Sequence, residues 1–190
     1  MQQPDPPFSF GGRQRSVRTV AHMFRGDFQQ KLDSKGRVSV PASFRRVLEQ
    51  GDPDWQKGLR PRLVIVYGDK LQKYLECFTM RAVDEIDDMI ARMPRGSVDR
   101  RMMEHYFHGL SHPTEIDADG RLILPQRLRD KIGLMDEAYF FATSDTFKIW
   151  NYETFEAEQS APFDAWRAAQ GPDFNIFSLA EKYAPPREEG

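Results

Sequence analysis

The chain has 190 residues, 39% of them hydrophobic and 12% aromatic, enough to bury one full core or two small ones. Its longest apolar runs, residues 63–67 and 138–142, have strand length and fall far short of the roughly 20 residues that a membrane-spanning helix needs. The net charge of −2 argues against a nucleic-acid binder only until its distribution is considered. Residues 13–48 carry nine Lys/Arg against two Asp, whereas residues 133–190 carry four against eleven Asp/Glu, so the basic end is suited to meet an anion and the acidic end to keep an assembly soluble.

In chain order, residues 1–22 hold Pro, Gly and little periodicity, and are expected to form a disordered or loosely docked extension. They contain no continuous apolar stretch of the kind a secretory signal needs, which makes the cytoplasm the default compartment. Residues 24–32 read as extended. Asp33-Ser-Lys-Gly36 reads as a tight hairpin turn, with Gly for positive φ and Asp for the side-chain hydrogen bond to the turn backbone. A short strand over 37–40 and a short amphipathic helix over 41–48 follow, with Pro41 placed where a helix start tolerates a missing N–H.

Strands over 63–67 and 74–78 come next, then helical periodicity over 80–93 and 97–107 with Val83, Ile86, Met89 and Ile90 on one face. The methionines there read as core or inter-subunit filler. Cys77 has no CxxC partner and reads as a small buried apolar residue.

The pattern then repeats. Leu32-Asp-Ser-Lys-Gly-Arg-Val-Ser-Val-Pro-Ala-Ser-Phe-Arg aligns, 84 positions on, with Ile116-Asp-Ala-Asp-Gly-Arg-Leu-Ile-Leu-Pro-Gln-Arg-Leu-Arg. Tyr74-Leu-Glu-Cys-Phe aligns with Lys148-Ile-Trp-Asn-Tyr at an offset of 74, which places about ten extra residues of the first copy in the polar segment 50–62. The second copy therefore predicts an extended segment 112–116, a turn at Asp117-Ala-Asp-Gly120, a strand over 121–124, a helix over 125–132, strands over 138–143 and 147–151, and a closing helix over 152–169. Residues 172–190 are expected to be a loose tail.

Asp33, Gly36, Asp117 and Gly120 are the residue types that tight turns demand, and are assigned to turn shaping. A turn does not require a cation, so Lys35, Arg37 and Arg121 are open to a second role. A guanidinium can contact phosphate or pair with guanine O6 and N7 in the major groove. It can equally pair internally, Arg37 with Asp33 and Arg121 with Asp117. Arg25, Lys31, Arg45 and Arg46 extend the basic patch of the first copy as candidate phosphate contacts, which give affinity and register without reading sequence. Asp119 stands where the first copy has Lys35, which makes the second turn the poorer DNA contact.

Glu104, His105, His108 and His112 raise a metal site, but Gly109 and Ser111 end the helix before His112, and no metal site is assigned. With no nucleophile elbow, phosphate-cradling glycine loop or paired carboxylates, no catalytic residue, cofactor or small-molecule substrate is expected.

The string from Met23 through Phe24-Arg-Gly-Asp-Phe and Leu32-Asp-Ser-Lys-Gly-Arg-Val-Ser-Val-Pro-Ala-Ser-Phe-Arg, with the second Asp-x-x-x-Arg element at Asp117 and Arg121, closely resembles the MraZ family over residues 23–158. The resemblance implies an α+β fold of two AbrB-like repeats whose halves interlock as a swapped-hairpin β-barrel. It implies a first SpoVT-AbrB-like repeat over 24–79, a helical linker over 80–108, a second repeat over 112–157, and a C-terminal helix and tail over 158–190. It also implies a nucleoid-associated homo-oligomer, larger than a dimer and ring-like, that binds spaced G-rich promoter repeats of double-stranded DNA and represses the division and cell-wall gene cluster. The family commonly begins near the equivalent of Met23, which sets residues 1–22 apart. The rival from another class is an oligomeric protein-interaction scaffold in which DNA binding is secondary.

Overall fold

A computed structural model describes residues 23–181 and 183; the expectation for residues 1–22 lies outside them. The strands are β1 (Asp27–Lys31), β2 (Arg37–Ser39), β3 (Arg62–Val66), β4 (Tyr74–Thr79), β5 (Ser111–Glu115), β6 (Arg121–Ile123), β7 (Glu137–Ala142) and β8 (Thr146–Trp150). The helices are α1 (Ala42–Gln50), α2 (Met80–Arg92), α3 (Val98–Met103), α4 (Gln126–Lys131), α5 (Tyr152–Phe155), α6 (Ala161–Ala169) and α7 (Ser178–Glu181). Wide π-type turns over Glu104–Gly109 and Glu156–Ser160 extend α3 and join α5 to α6. The architecture is α+β, and the expected elements form close to their expected bounds.

The pairing of the strands differs from a chain of local hairpins. Beyond its turn, β2 pairs with its own half, among the described residues, through a single bridge, Leu32 to Val38. Instead β1 pairs with β7, β3 with β5, β4 with β8 and β2 with β6, all antiparallel and all between halves. Only β3 with β4 and β7 with β8 are hairpins within a half. The six-stranded sheet runs β1-β7-β8-β4-β3-β5, and β2 and β6 form a separate ribbon.

This order is a palindrome under exchange of the halves, so the repeat has become a pseudo-two-fold axis. Val38 lies opposite Leu122, its own counterpart 84 positions on, and Leu75 lies opposite Ile149, its counterpart at 74. The expected closed barrel is not found among the described residues. β1 and β5 remain the two edges of the large sheet, because β2 and β6, the strands that would have continued it, pair with each other.

Burial explains the exchange. Val38 and Leu122 are fully buried, and pairing them on the axis seals one core between the halves. Phe44 of α1 is 0% exposed; its ring centroid lies 5.2 Å from Phe24, 5.3 Å from Phe28, 5.1 Å from Phe147 and 6.4 Å from Phe140. Phenylalanines from both copies thus share one cluster; the Phe44 pairs with Phe24, Phe28 and Phe140 are edge-on, as aromatic quadrupoles favour, and that with Phe147 is tilted. Pro41 and Pro125 immediately precede α1 and α4, whose buried residues include Phe44, Val47 and Leu48 in one and Leu128 in the other. Cys77 is fully buried in the same core, and burial pushes its thiol well above the usual range. Among the described residues no helix is long and apolar enough to cross a membrane.

The extra segment of the first copy is tied down by Asp52. Its buried carboxylate accepts from the Arg62 backbone N–H at 3.0 Å, from Arg62 Nε at 3.0 Å and from Arg62 Nη2 at 2.5 Å, while Asp54 supplies a further backbone N–H at 3.2 Å. The Arg62 guanidinium holds the Asp52 carboxyl below the usual range, outweighing burial, which acts the other way. A depressed folded pKa contributes stability that is fully present above the unfolded value of about 3.9 and is lost as pH falls through the folded value. Asp52→Asn should therefore lower stability by about 1–3 kcal/mol at neutral pH and flatten the decline of the urea midpoint below about pH 4; an unchanged acid slope would exclude Asp52 as a contributor.

Candidate nucleic-acid interface

The β2/β6 ribbon has an inner face, Val38 and Leu122, and an outer one. Strand alternation puts Arg37 and Ser39 of β2 and Arg121 and Ile123 of β6 on the outer face, with Arg37 opposite Ile123 and Ser39 opposite Arg121. The two Asp-x-x-Gly-Arg turns stand at opposite ends of this ribbon.

Each turn is held by its own aspartate and by the other half. Asp33 Oδ1 accepts from the backbone N–H groups of Lys35 and Arg37, both at 2.9 Å. Asp117 Oδ1 accepts from those of Asp119 and Arg121, also both at 2.9 Å. Across the axis, the Leu124 N–H donates to the Gly36 carbonyl at 2.8 Å and the Val40 N–H donates to the Gly120 carbonyl at 3.0 Å. Gly36 and Gly120 have φ of +76° and +77°, the left-handed region that favours glycine.

The arginines do more than fill the turns. Arg37 donates from Nε to Asp33 Oδ2 at 2.6 Å, and among the described residues its Nη atoms meet no partner. Internal pairing therefore engages one nitrogen of Arg37 and leaves its Nη atoms available: Asp33 orients the guanidinium without occupying its far end. Arg121 donates from Nε to Asp117 Oδ2 at 3.0 Å and from Nη2 to Asp119 Oδ2, so both ends are occupied.

The carboxyl of Asp33 is held low, chiefly by the backbone N–H of Arg37 and then by its guanidinium and the Lys35 N–H, against burial. At Asp117 burial is the largest single influence and acts upward, but the Arg121 and Asp119 hydrogen bonds together outweigh it and hold the carboxyl low. Arg121 is raised by its bond to Asp117, and the charges of Asp117, Asp119 and Asp33 add to this.

The remaining candidate cations do not gather on the first turn. Arg45 of α1 lies over Gly120 of the second turn, where a methyl group built on that glycine would fall within 1.7 Å of Arg45 Nη1. Its counterpart 84 positions on, Arg129 of α4, lies over Gly36 of the first turn and donates to the Leu124 carbonyl at 3.1 Å. Arg129 was not among the sequence candidates, although the repeat alignment pairs it with Arg45; strand exchange carries each helix to the other half's turn.

Arg46 is exposed and lines a hollow with Arg45, Asp117 and Gly120, and a second hollow with Arg25, Ser43 and Met23. Lys31 stands on the edge strand β1 opposite Glu137. The first turn thus groups Lys35, Arg37 and Arg129; Arg45 and Arg121 belong to the second. The histidines stay apart in role: His108 meets Asp87 at 2.9 Å, and His105 lines a hollow with Tyr67 and Arg127. Among the described residues no group of three metal-ligating side chains is gathered.

The family model for MraZ protein, described as antitoxin-like, matches residues 23–104 and 110–170. The chain belongs to the MraZ family. It is 55% identical over 156 residues to the transcriptional regulator MraZ of Ruegeria pomeroyi, an alignment covering 82% of this chain and 93% of that protein. It is 57% identical over 142 residues to the transcriptional regulator MraZ of Ruegeria sp. strain TM1040, covering 75% and 85%. The protein of the same name from Cereibacter sphaeroides strain ATCC 17025 is 42% identical over 149 residues, covering 75% and 88%. The matched MraZ segments contain both turns and every candidate cation named above.

Gly36→Ala should test the clasp at the first turn. An added methyl would lie 2.6 Å from the Leu124 carbonyl oxygen, besides placing alanine at positive φ. Gly58 has φ of +97° with nothing within 4 Å, so Gly58→Ala reports the backbone cost alone, about 1–2 kcal/mol. Urea denaturation should find Gly36→Ala the more destabilised of the two; equal losses would mean that the turn yields without disturbing the other half.

Proposed function

We propose that this chain is a sequence-specific, DNA-binding transcriptional regulator that engages duplex DNA through the outer face of the β2/β6 ribbon, with the first turn leading. The observation that carries the reading is the Asp33–Arg37 pair, which fixes the guanidinium by one nitrogen and leaves its other nitrogens open beside the exposed Lys35. A two-stranded ribbon is of a size that the major groove admits, and an arginine so presented can take guanine O6 and N7 or a phosphate. Lys35 and Arg129 add charge at that turn. Arg25 and Arg46 form a separate basic spot suited to phosphate contact. The related proteins named as transcriptional regulators support the same reading.

In its finer form, the reading is of a cytoplasmic, nucleoid-associated repressor of the division and cell-wall gene cluster. It acts as a ring-like homo-oligomer on spaced G-rich promoter repeats, and is built from SpoVT-AbrB-like repeats over 24–79 and 112–157, a linker over 80–108 and a C-terminal helix and tail. One ribbon carries few contacts, so subunits acting together on spaced repeats would supply affinity through effective concentration. Exposed apolar side chains on α2, α3 and α6, among them Met89, Met102, Phe163 and Trp166, offer surface for contacts between copies.

Light scattering at micromolar concentration should give a mass above that of a dimer, and a monomer would defeat the ring. Arg37→Ala should weaken binding to the chain's own promoter DNA by on the order of 1–3 kcal/mol per engaged subunit. Sequence preference will relax if Arg37 touches a base, and the salt slope will shrink if it touches phosphate. At fixed salt Arg121→Ala should cost less. If instead Arg37→Ala binds like the parent while Arg121→Ala abolishes binding with assembly intact, the second turn is the reading surface.

A further inference from the structure

The two turns are alike in backbone and unlike in charge. Lys35 and Asp119 occupy equivalent places, and their N–H groups make the same 2.9 Å bond to Asp33 and Asp117. Beyond this the side chains part. Lys35 meets no partner among the described residues and stands exposed, whereas the Asp119 carboxylate accepts from Arg121 Nη2. The second turn otherwise has what the first has: an arginine oriented through Nε by the turn aspartate, and a helix arginine, Arg45, lying over the turn glycine as Arg129 lies over Gly36.

We propose that Asp119 is an internal competitor for DNA phosphate: it latches Arg121 and bars the second turn from DNA, so that each protomer engages through its first turn. This rests on the DNA-binding reading above. A carboxylate on a guanidinium presents the same two-oxygen, negatively charged face that a phosphate would. The pair is open to solvent, with Asp119 at 68% and Arg121 at 31% side-chain exposure, so the latch is an exposed ion pair, weak by itself. Its effect is doubled by placement, because a phosphate approaching Arg121 must both displace Asp119 and endure its charge. Removing that one carboxylate converts a turn with two cations, Arg121 and Arg45, against two acids into one with a released Arg121 beside Arg45 and Asp117 as its one acid.

The test is fluorescence anisotropy with the full chain on two labelled duplexes, the DNA upstream of its own gene and a random sequence of equal length, over a range of salt. Asp119→Ala should bind both duplexes on the order of threefold to tenfold more tightly at about 0.1 M salt, and its salt slope should steepen by about one for each recruited phosphate contact. Asp119→Asn, which removes the charge and keeps the shape, should behave likewise, with unchanged melting temperature. In an Arg121→Ala background the gain from Asp119→Ala should vanish, because there is no arginine left to release. A gain that persists in that background would reduce Asp119 to plain charge repulsion and overturn the latch. No gain in either background would overturn it too, while a loss of binding by Arg37→Ala in the same assay would leave the DNA-binding reading standing. If the parent binds neither duplex, that reading fails and the latch falls with it.

Discussion

Two main-chain hydrogen bonds across the pseudo-two-fold axis, from Leu124 N–H to the Gly36 carbonyl and from Val40 N–H to the Gly120 carbonyl, tie each turn to the strand of the opposite copy. They are possible only because β2 and β6 pair with each other over Val38 and Leu122. Backbone groups beside a buried face must find partners, and in this ribbon that face is formed by Val38 and Leu122. The exchange supplies those partners and buries both axial side chains. It also makes the halves mutually dependent: the sheet alternates between copies at three of its five strand contacts, and the Phe44 cluster draws rings from both. The two copies thus share one sheet and one aromatic cluster.

The same constraint shapes the electrostatics of the surface. An aspartate that closes the turn through two backbone N–H groups has a second oxygen left for the arginine four residues on, and so a turn-forming residue also aims a guanidinium. This reconciles two roles that the residue types alone leave as alternatives. It also explains how one difference between the copies changes the partners of the arginine. With Lys35 in the variable slot the arginine's outer nitrogens stay available; with Asp119 they are taken, on an unchanged backbone. The chain's net charge of −2 says little about such a surface, because the charges that matter are sorted by position over a few ångströms.

Much of this was legible in the amino-acid order. The turns, both proline-led helices and all eight strands follow from local rules: glycine at positive φ, aspartate bonding to backbone two and four residues on, proline before a helix, and runs of alternating or continuous apolar residues. The matching offsets of 84 and 74 are fulfilled literally, since residues separated by those distances face each other on the axis. Less legible was the grouping of the cations. Arg45 is near Arg37 in sequence, yet lies at the second turn, and Arg129, distant in sequence, lies at the first.

The reason is that the sequence by itself determined each element and its face, because those depend on neighbours within one turn or one strand. Only the tertiary structure decided which strand pairs with which. A backbone N–H bonds equally well to any carbonyl, so the choice between a hairpin with one's own half and a ribbon with the other was made by where Val38, Leu122 and Phe44 could be buried together. That choice left the six-stranded sheet open, set the two turns at opposite ends of one ribbon, and brought to each turn the helix arginine of the other copy.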